Sequence, residues 1–137
     1  MMAITVLLPV DGSEGSKRAA EWVINNLREA ELHVLNVQLP VASGGIKRYI
    51  SEENLKDYYR DEALAALKPV RELLDSKNIK YEHHIGVGNE AETIVDFAKT
   101  KRCDQIVMAK SDAGWLKLGS VTNKVIQLSP VPVLVIP

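Results

Sequence analysis

A run of apolar, partly β-branched residues, Ile4-Thr5-Val6-Leu7-Leu8-Pro9-Val10, leads directly into Asp11-Gly12-Ser13 near the start of the chain. Such a short apolar run, bounded by turn residues, predicts a strand that is buried on both faces, as in a parallel sheet. Ser13 precedes the first stretch with helical periodicity and is predicted to be the N-cap of that helix. A strand that passes into a helix in this way is the first half of a βαβ unit.

The same alternation of strand and helix continues to the end of the sequence. Further strand-like runs are Leu32–Leu39, Lys80–Gly86, Gln105–Met108 and Val131–Ile136. Apolar residues recur with helical spacing in Ser16–Arg28, Ser51–Lys77, Ala91–Lys101 and Ser120–Leu128. This alternation predicts an α/β fold: a doubly wound, three-layer, five-stranded parallel sheet with helices on both faces. We expect residues 1–137 to form a single domain of this kind.

Residues with strong local preferences mark where the predicted helices begin and end. Asn89, with Glu92 three residues later, predicts an N-cap, and Ser129-Pro130 should end the last helix. Pro69 lies inside the long second helix and is expected to kink or split it, because proline removes a backbone hydrogen bond.

The composition excludes several classes of function. Of 137 residues, 17 are basic and 18 acidic, which gives a net charge of −1. This balance argues against a binder of nucleic acid or of anionic membranes, since either usually has a basic excess. A single cysteine, Cys103, cannot form an internal disulfide or a thiolate zinc cluster, and it fits a reducing compartment.

The sequence also bears on location. No apolar stretch reaches the roughly 20 residues that span a bilayer. The N-terminal run lacks the basic residues and the cleavage pattern of a signal peptide. We therefore expect a cytoplasmic protein.

Polar and small residues follow several predicted strands, at the edge where an open parallel sheet binds ligands. Gly119-Ser120-Val121-Thr122 opens the last helix, and a helix N-terminus offers unpaired backbone N–H groups to an anion. Glycine permits the close approach of a ligand, and the two hydroxyls add contacts. The alternative is that Ser120 only caps the helix.

Several of these motifs, in this order and spacing, resemble the universal stress protein family over nearly the full length of the chain. The most specific part is the C-terminal run, with Gly119-Ser120 at the start of the last helix. The motifs are Val10-Asp11-Gly12-Ser13, Gly86-Val87-Gly88, Ile106-Val107-Met108, Leu118–Ile126 and Ser129–Ile136. The resemblance implies a nucleotide-binding-like fold with the strand order 3-2-1-4-5.

The resemblance also implies a nucleotide site, since many members of the family bind ATP. In those members an aspartate after strand one and a residue near the end of strand two hold the adenosine, and Asp11 and Val37 match these positions. The phosphates rest on a loop of pattern glycine, two residues, glycine, nine residues, glycine, serine or threonine. The candidate nucleotide-binding residues are Pro9, Asp11, Gly12, Val37, Ala109, Lys110, Gly119, Ser120, Val121 and Thr122.

The phosphate loop departs from that pattern. Ala109 and Asp112 stand where the first two glycines are expected, and the loop is about three residues shorter. An alanine Cβ restricts the close approach of a phosphate, and Asp112 would repel it unless a metal such as Mg²⁺ intervened. The segment Asp112-Ala113-Gly114-Trp115 resembles members that do not bind ATP, yet Gly119-Ser120 is retained. At the level of sequence, both alternatives stay open.

No other set of residues indicates a catalytic or metal site. His83 and His84 are adjacent in a strand and should point to opposite faces, His33 lies in another strand, and no carboxylate spacing completes a metal site. The sequence contains neither the nucleophile elbow of serine hydrolases nor a P-loop. We expect Cys103 to be packed and unreactive, and Tyr58-Tyr59 to belong to the core.

The last predicted strand indicates how the protein assembles. An apolar strand at a sheet edge favours aggregation unless it is covered, and a second copy across a two-fold axis would cover it. The resemblance implies the same dimer. The expected interface residues are Val131, Val133, Leu134, Val135 and Ile136.

These observations predict a cytoplasmic, homodimeric stress-response protein that acts as a signalling or protective module without catalytic turnover. The alternative hypothesis is an adenine-nucleotide switch that binds ATP with Mg²⁺ and hydrolyses it slowly or not at all. A small hydrolase that uses Asp11 and a metal is a third, less favoured class, because nothing in the sequence pairs Asp11 with an acid partner.

Overall fold

The computed structural model describes residues 3–41, 51–110 and 119–137. Strands and helices alternate along these residues in the order that the periodicity predicts. The strands are β1 (Thr5–Pro9), β2 (Glu31–Gln38), β3 (Tyr81–Val87), β4 (Gln105–Ala109) and β5 (Val133–Ile136). The helices are α1 (Glu14–Asn26), α2 (Glu52–Ser76), α3 (Glu90–Thr100) and α4 (Ser120–Leu128).

The five strands form one parallel sheet in the order β3-β2-β1-β4-β5. This confirms the predicted fold class and the strand order that the family resemblance implies. In register, Leu7 of β1 stands opposite His33 of β2 on one side and Ile106 of β4 on the other. The chain order reverses between β1 and β4, and such a reversal leaves a crevice at the carboxyl ends of the strands.

Helices cover both faces of the sheet and create two apolar clusters. On one face, Ala20 of α1 and Leu67 of α2 are buried in the same cluster as Leu8 of β1. On the other face, Val125 of α4 and residues of α3 are buried with Leu7 of β1. Neighbouring residues of β1 are therefore buried on opposite faces, which is the physical reason for its continuous apolar sequence.

Two of the predicted helix starts are confirmed. The Ser13 hydroxyl accepts a hydrogen bond of 3.2 Å from the backbone N–H of Ser16 at the start of α1. The Asn89 side chain accepts one of 3.1 Å from the backbone N–H of Glu92 at the start of α3. Each bond satisfies an N–H group that has no partner within the helix.

Of the two outcomes expected at Pro69, a kink or a split, the split is wrong, because α2 runs unbroken from Glu52 to Ser76. Leu67 and Val70, which flank Pro69, are 0% and 1% exposed. Packing on both sides of the proline outweighs the one hydrogen bond that it removes. Although α2 has 25 residues, neither it nor another helix of the described ranges is long and apolar enough to cross a membrane.

The structure corrects the expectation that Tyr58-Tyr59 is part of the core. The Tyr58 residue is 50% exposed, and the Tyr59 hydroxyl accepts a hydrogen bond of 2.8 Å from the backbone N–H of Val41. The buried residues of α2 begin only at Ala63, because the first turns of this helix extend beyond the part that packs on the sheet.

Cys103 is buried, as expected. Burial raises the pKa of its thiol, and the negative charges of Asp104 and Glu31 add to this effect. The thiol is therefore protonated at neutral pH and is a poor nucleophile.

Candidate functional site

A cleft of about 980 Å³ opens at the carboxyl ends of β1, β2 and β4. Its walls are the loop between β1 and α1, the end of β2, the first half of α2 and the start of α4. Every candidate nucleotide-binding residue except Gly119 lines it: Pro9, Asp11, Gly12, Val37, Ala109, Lys110, Ser120, Val121 and Thr122. Gly119 immediately precedes this group, as the N-cap of α4. Residues far apart in the sequence therefore meet around one space.

Asp11 lies directly after β1 and is held in place by the start of α1. Its carboxylate Oδ1 accepts hydrogen bonds from the backbone N–H of Ser13 at 3.0 Å and from the hydroxyl of Ser16 at 2.8 Å. Burial acts to raise the pKa of Asp11, but the hydrogen bonds from Ser13 and Ser16 outweigh it and hold the pKa below its usual value. Asp11 is therefore ionised at neutral pH, with a fixed orientation.

Gly12 brings this loop into close contact with α2. Its φ angle is +86°, and a Cβ at this position would stand 3.3 Å from the Cα of Ala66. Only glycine combines that backbone conformation with so short an approach. Gly12 therefore sets how closely α2 lies to the carboxyl end of β1 along one wall of the cleft.

A buried amide that the sequence reasoning did not select connects two walls of the cleft. Asn36 of β2 is 3% exposed, and its side-chain N–H₂ donates a hydrogen bond of 2.7 Å to the carbonyl oxygen of Val10. Its Oδ1 accepts one of 2.7 Å from the side chain of Gln38. The position of Asn36 within an otherwise apolar strand could have pointed to it, because a buried amide needs a hydrogen-bond partner. This pair fixes the position of Val37, which lies between the two residues.

The N-terminus of α4 faces the cleft without a side-chain cap. The alternative that Ser120 only caps this helix is wrong, because the N-cap is Gly119, with a φ of 74° and no side-chain hydrogen bond. The first backbone bond of the helix joins the N–H of Asn123 to the carbonyl of Gly119 at 2.7 Å. Helix geometry therefore provides no partner for the N–H groups of Ser120, Val121 and Thr122.

Among the described residues, the cleft has more acidic than basic side chains. Asp11, Glu62 and Glu90 line it, together with Lys110. Burial raises the pKa of Glu90, and the negative charge of Asp11 adds to this rise. The lining therefore disfavours a ligand with several uncompensated negative charges, although the helix N-terminus attracts a single anionic group.

The predictions about the central part of the phosphate loop concern Asp112 and the segment Asp112–Trp115, which lie outside the described residues. The loop is described at its two ends, Lys110 and Gly119. Beside these ends, the hydroxyl of Thr122 donates a hydrogen bond of 3.4 Å to the carbonyl oxygen of Ala109, which links the first turn of α4 to the end of β4.

A second group of polar side chains lies outside the cleft. His33 of β2 meets Glu82 and His84 of β3 on one face of the sheet. Sequence spacing did not connect these residues, because the pairing register of β2 and β3 is what brings them together. Sheet register is set by tertiary packing rather than by local spacing.

The predicted interface strand lies at a sheet edge, as expected. β5 pairs with β4 on one side, and no strand of the described ranges pairs with its other side. Val131, Val133, Leu134 and Val135 are partly exposed. Ile136 is 8% exposed and belongs to the core cluster under α1 and α2.

Comparison with known proteins gives consistent matches. The sequence model of the Universal stress protein family matches residues 2–137. Universal stress protein MJ0531 of Methanocaldococcus jannaschii is 32% identical to this chain, over 96% of this chain and 80% of that protein.

Solved structures match over nearly the whole chain. The structure of protein MJ0577 of Methanocaldococcus jannaschii has a TM-score of 0.80 and 29% identity, and covers 99% of this chain and 96% of that chain. A universal stress protein in complex with cAMP has a TM-score of 0.72 and 25% identity, and covers 98% and 97% of the two chains.

Proposed function

We propose that this chain, which belongs to the universal stress protein family, binds an adenine nucleotide in the cleft as the controlling ligand of a stress-response module. The observation that carries the proposal is the meeting of Asp11, Val37 and the uncapped N-terminus of α4 around one space of about 980 Å³. This volume lies in the range of small-molecule sites, which is about 300–1,000 Å³. The similar protein in complex with cAMP is consistent with this ligand class.

The proposed orientation follows from the chemistry of the walls. Both hydrogen bonds from Ser13 and Ser16 go to Oδ1 of Asp11, so Oδ2 is suited to accept a ribose hydroxyl. The base lies against Val37, on the apolar side of the cleft. The phosphate lies at the N–H groups of Ser120–Thr122, where the helix dipole favours a negative charge.

We further propose that the nucleotide is not turned over. Asp11 lines the cleft, but its lowered pKa and its hydrogen bonds make it a weak general base. Glu90, whose pKa is raised by burial, is another carboxyl group of the cleft. A catalytic role for Glu90 would lead to steady release of phosphate from ATP, and no such release is expected above a buffer blank.

The charge of the lining favours a nucleotide with few negative charges. Asp11, Glu62 and Glu90 oppose a bare triphosphate, and Lys110 offsets only part of their charge. We expect AMP or cAMP to bind without a metal, and ATP to bind only together with Mg²⁺.

Calorimetric titration of nucleotide-free protein tests the proposal. AMP, cAMP and ATP, each with and without Mg²⁺, are titrated into the wild type, and at least one adenine nucleotide is expected to saturate a single site. Lys110→Gln should weaken binding, whereas Lys99→Gln, on the exposed side of α3, should not. The absence of heat with every nucleotide would remove the proposed function.

A second proposal concerns assembly, and a hydrogen-bond pattern at β5 supports it. The carbonyl oxygens of Pro132 and Ile136 accept hydrogen bonds from the backbone N–H groups of Ile106 and Lys110, at 3.0 and 2.8 Å. Because pairing alternates along a strand, Val133 and Val135 direct their backbone groups away from β4. We propose that this edge pairs with its own copy to form a homodimer that acts in the cytoplasm.

A further inference from the structure

His33, Glu82 and His84 form a compact cluster between β2 and the edge strand β3. In the register of these strands, His33 stands opposite Glu82, and His84 is two residues further along the same face. His33 and Glu82 lie in the first halves of their strands and His84 lies at the middle of β3, whereas the cleft lies at the carboxyl ends, and none of the three residues lines it. The cluster is therefore separate from the proposed nucleotide site and does not depend on it.

The donor atoms are spaced as ligands of one metal ion would be. His33 Nδ1 lies 2.9 Å from His84 Nε2 and 3.3 Å from Glu82 Oε2, and His84 Nε2 lies 3.8 Å from Glu82 Oε2. Tetrahedral bonds of about 2.0–2.1 Å place neighbouring ligand atoms about 3.3 Å apart. A movement of a few tenths of an ångström in each side chain therefore satisfies the geometry.

We propose that His33 Nδ1, His84 Nε2 and the Glu82 carboxylate bind one divalent transition-metal ion of the zinc type. Two imidazoles and a carboxylate are a ligand set that zinc accepts, with a fourth position left for water. The hydrogen bond between the imidazoles is replaced by two bonds to the ion, and the proton that lay between them moves through solvent to the other nitrogen of the same ring, so both ligands stay neutral imidazoles.

The cluster is ordered because its two imidazoles are largely buried, and it is accessible because its carboxylate is exposed. The side chains of His33, His84 and Glu82 are 6%, 20% and 67% exposed, so an ion reaches the buried imidazole through the exposed carboxylate. The Phe97 ring packs 4.6 Å from the His84 ring, measured between centroids, and limits its rotation.

Lys101 is the neighbouring group that opposes a cation. Its ammonium lies 6.0 Å from the centroid of the Phe97 ring, which in turn packs on the His84 ring. Because like charges repel, Lys101→Gln should bind the metal more tightly than the wild type. A gain of affinity in this variant is a result that loss of structure cannot produce.

The bound ion would connect the edge strand to the rest of the sheet. One ligand comes from β2 and two come from β3, so the ion adds a second link to the backbone hydrogen bonds between these strands. A ligand that binds only the folded state stabilises it. We therefore expect Zn²⁺ to raise the melting temperature, and a chelator to reverse the rise.

The test is titration of chelator-treated, nucleotide-free protein with Zn²⁺ by calorimetry and with Co²⁺ by visible absorption. The wild type should saturate at one ion per chain, with the absorption of tetrahedral Co²⁺. Glu82→Gln and His84→Gln should each weaken binding by about 10-fold or more, because each removes one of three ligands. Circular dichroism checks that both variants are folded, and the exposure of Glu82 makes Glu82→Gln the safer of the two.

His83→Gln is the matched control, because His83 lies between the two ligands of β3 but is not itself one of the proposed ligands. Its side chain is exposed, so the substitution does not disturb the core. Its affinity and its stabilisation by Zn²⁺ should equal those of the wild type. The proposal is overturned if the wild type binds no ion, if Glu82→Gln and His84→Gln bind as the wild type does, or if His83→Gln loses as much affinity as His84→Gln.

Discussion

The hydroxyl of Ser16 donates a hydrogen bond of 2.8 Å to the Asp11 carboxylate and accepts one of 3.0 Å from the backbone N–H of Asp11. Ser16 lies in the first turn of α1 and is 3% exposed, so this pair of bonds fixes the carboxylate relative to the helix. A carboxylate held in this way is ready to accept a ligand hydroxyl without a further loss of side-chain freedom.

Replacement of the Asp11 charge tests its role as the ribose acceptor. We expect Asp11→Asn to weaken nucleotide binding by about 1.5–3 kcal/mol, which is a roughly 10- to 150-fold increase in Kd, because a hydrogen bond to a charged group is lost. Asp96→Asn, on an exposed position of α3, is the control. Calorimetry that gives equal affinities for both variants would exclude Asp11 from the site.

The start of α4 is tested by two substitutions of different severity. Gly119 has a φ of 74°, where a β-branched side chain is strained, so Gly119→Val should displace the N–H groups of the helix start. Ser120→Ala removes only a hydroxyl. We expect both to weaken nucleotide binding, and the valine variant to weaken it more; unchanged Kd values in both would place the phosphate elsewhere.

Glu90 is expected to make stability depend on pH. The pKa of Glu90 in the folded state is raised above the ordinary value of 4.5. The stability of the folded state that protonated Glu90 contributes is therefore fully present below that pH and is lost as pH rises through the raised pKa. Glu90→Gln should therefore raise the melting temperature relative to the wild type at pH 7 more than at about pH 4. Glu92→Gln, in the same helix turn, controls for the helix dipole. An equal difference at both pH values would contradict this account.

Asp11 should have the opposite pH dependence. Its folded pKa lies below the ordinary value of 3.8, so its stabilising contribution is present above that pH and is lost as pH falls through the lowered pKa. Thermal unfolding below about pH 4 should show a steeper loss of stability in the wild type than in Asp11→Asn. The same loss of stability with falling pH in both proteins would mean that the hydrogen bonds from Ser13 and Ser16 do not favour the ionised form of Asp11.

The proposed dimer is tested at the outer edge of β5. Val135→Pro removes a backbone N–H that is directed away from β4, and proline is tolerated at such edge positions. Light scattering at micromolar concentration should give the mass of two chains for the wild type and of one chain for the variant, with unchanged circular dichroism. A wild-type protein with the mass of one chain would contradict the dimer.

The sequence was sufficient for the order of elements because local signals and packing agree. The apolar run that leads into Ser13 forms a buried strand and a capped helix, as its pattern predicts. The expectations of a split at Pro69 and of a core position for Tyr58 are wrong for a shared reason: how much of α2 rests on the sheet is a tertiary property. Packing keeps the helix intact at the proline and leaves the tyrosine exposed.

The two sites differ in how much the sequence reveals of them. The cleft residues follow strands, and a parallel sheet brings strand ends to one edge, so Asp11 and Ser120 could be predicted to meet. The cluster of His33, Glu82 and His84 depends on the register between β2 and β3, which no motif in the sequence specifies.

Amide chemical shifts in the two-dimensional ¹H–¹⁵N spectrum, recorded while an adenine nucleotide is added, show directly whether the cleft is the nucleotide site. We expect saturable shifts in the backbone amides of Ser120, Val121 and Thr122, together with those of Asp11 and Gly12, since these residues line the cleft. Amides of β3 should not move. Shifts confined to residues outside the cleft, or no shifts at saturating nucleotide, would contradict the proposal that the nucleotide binds in the cleft.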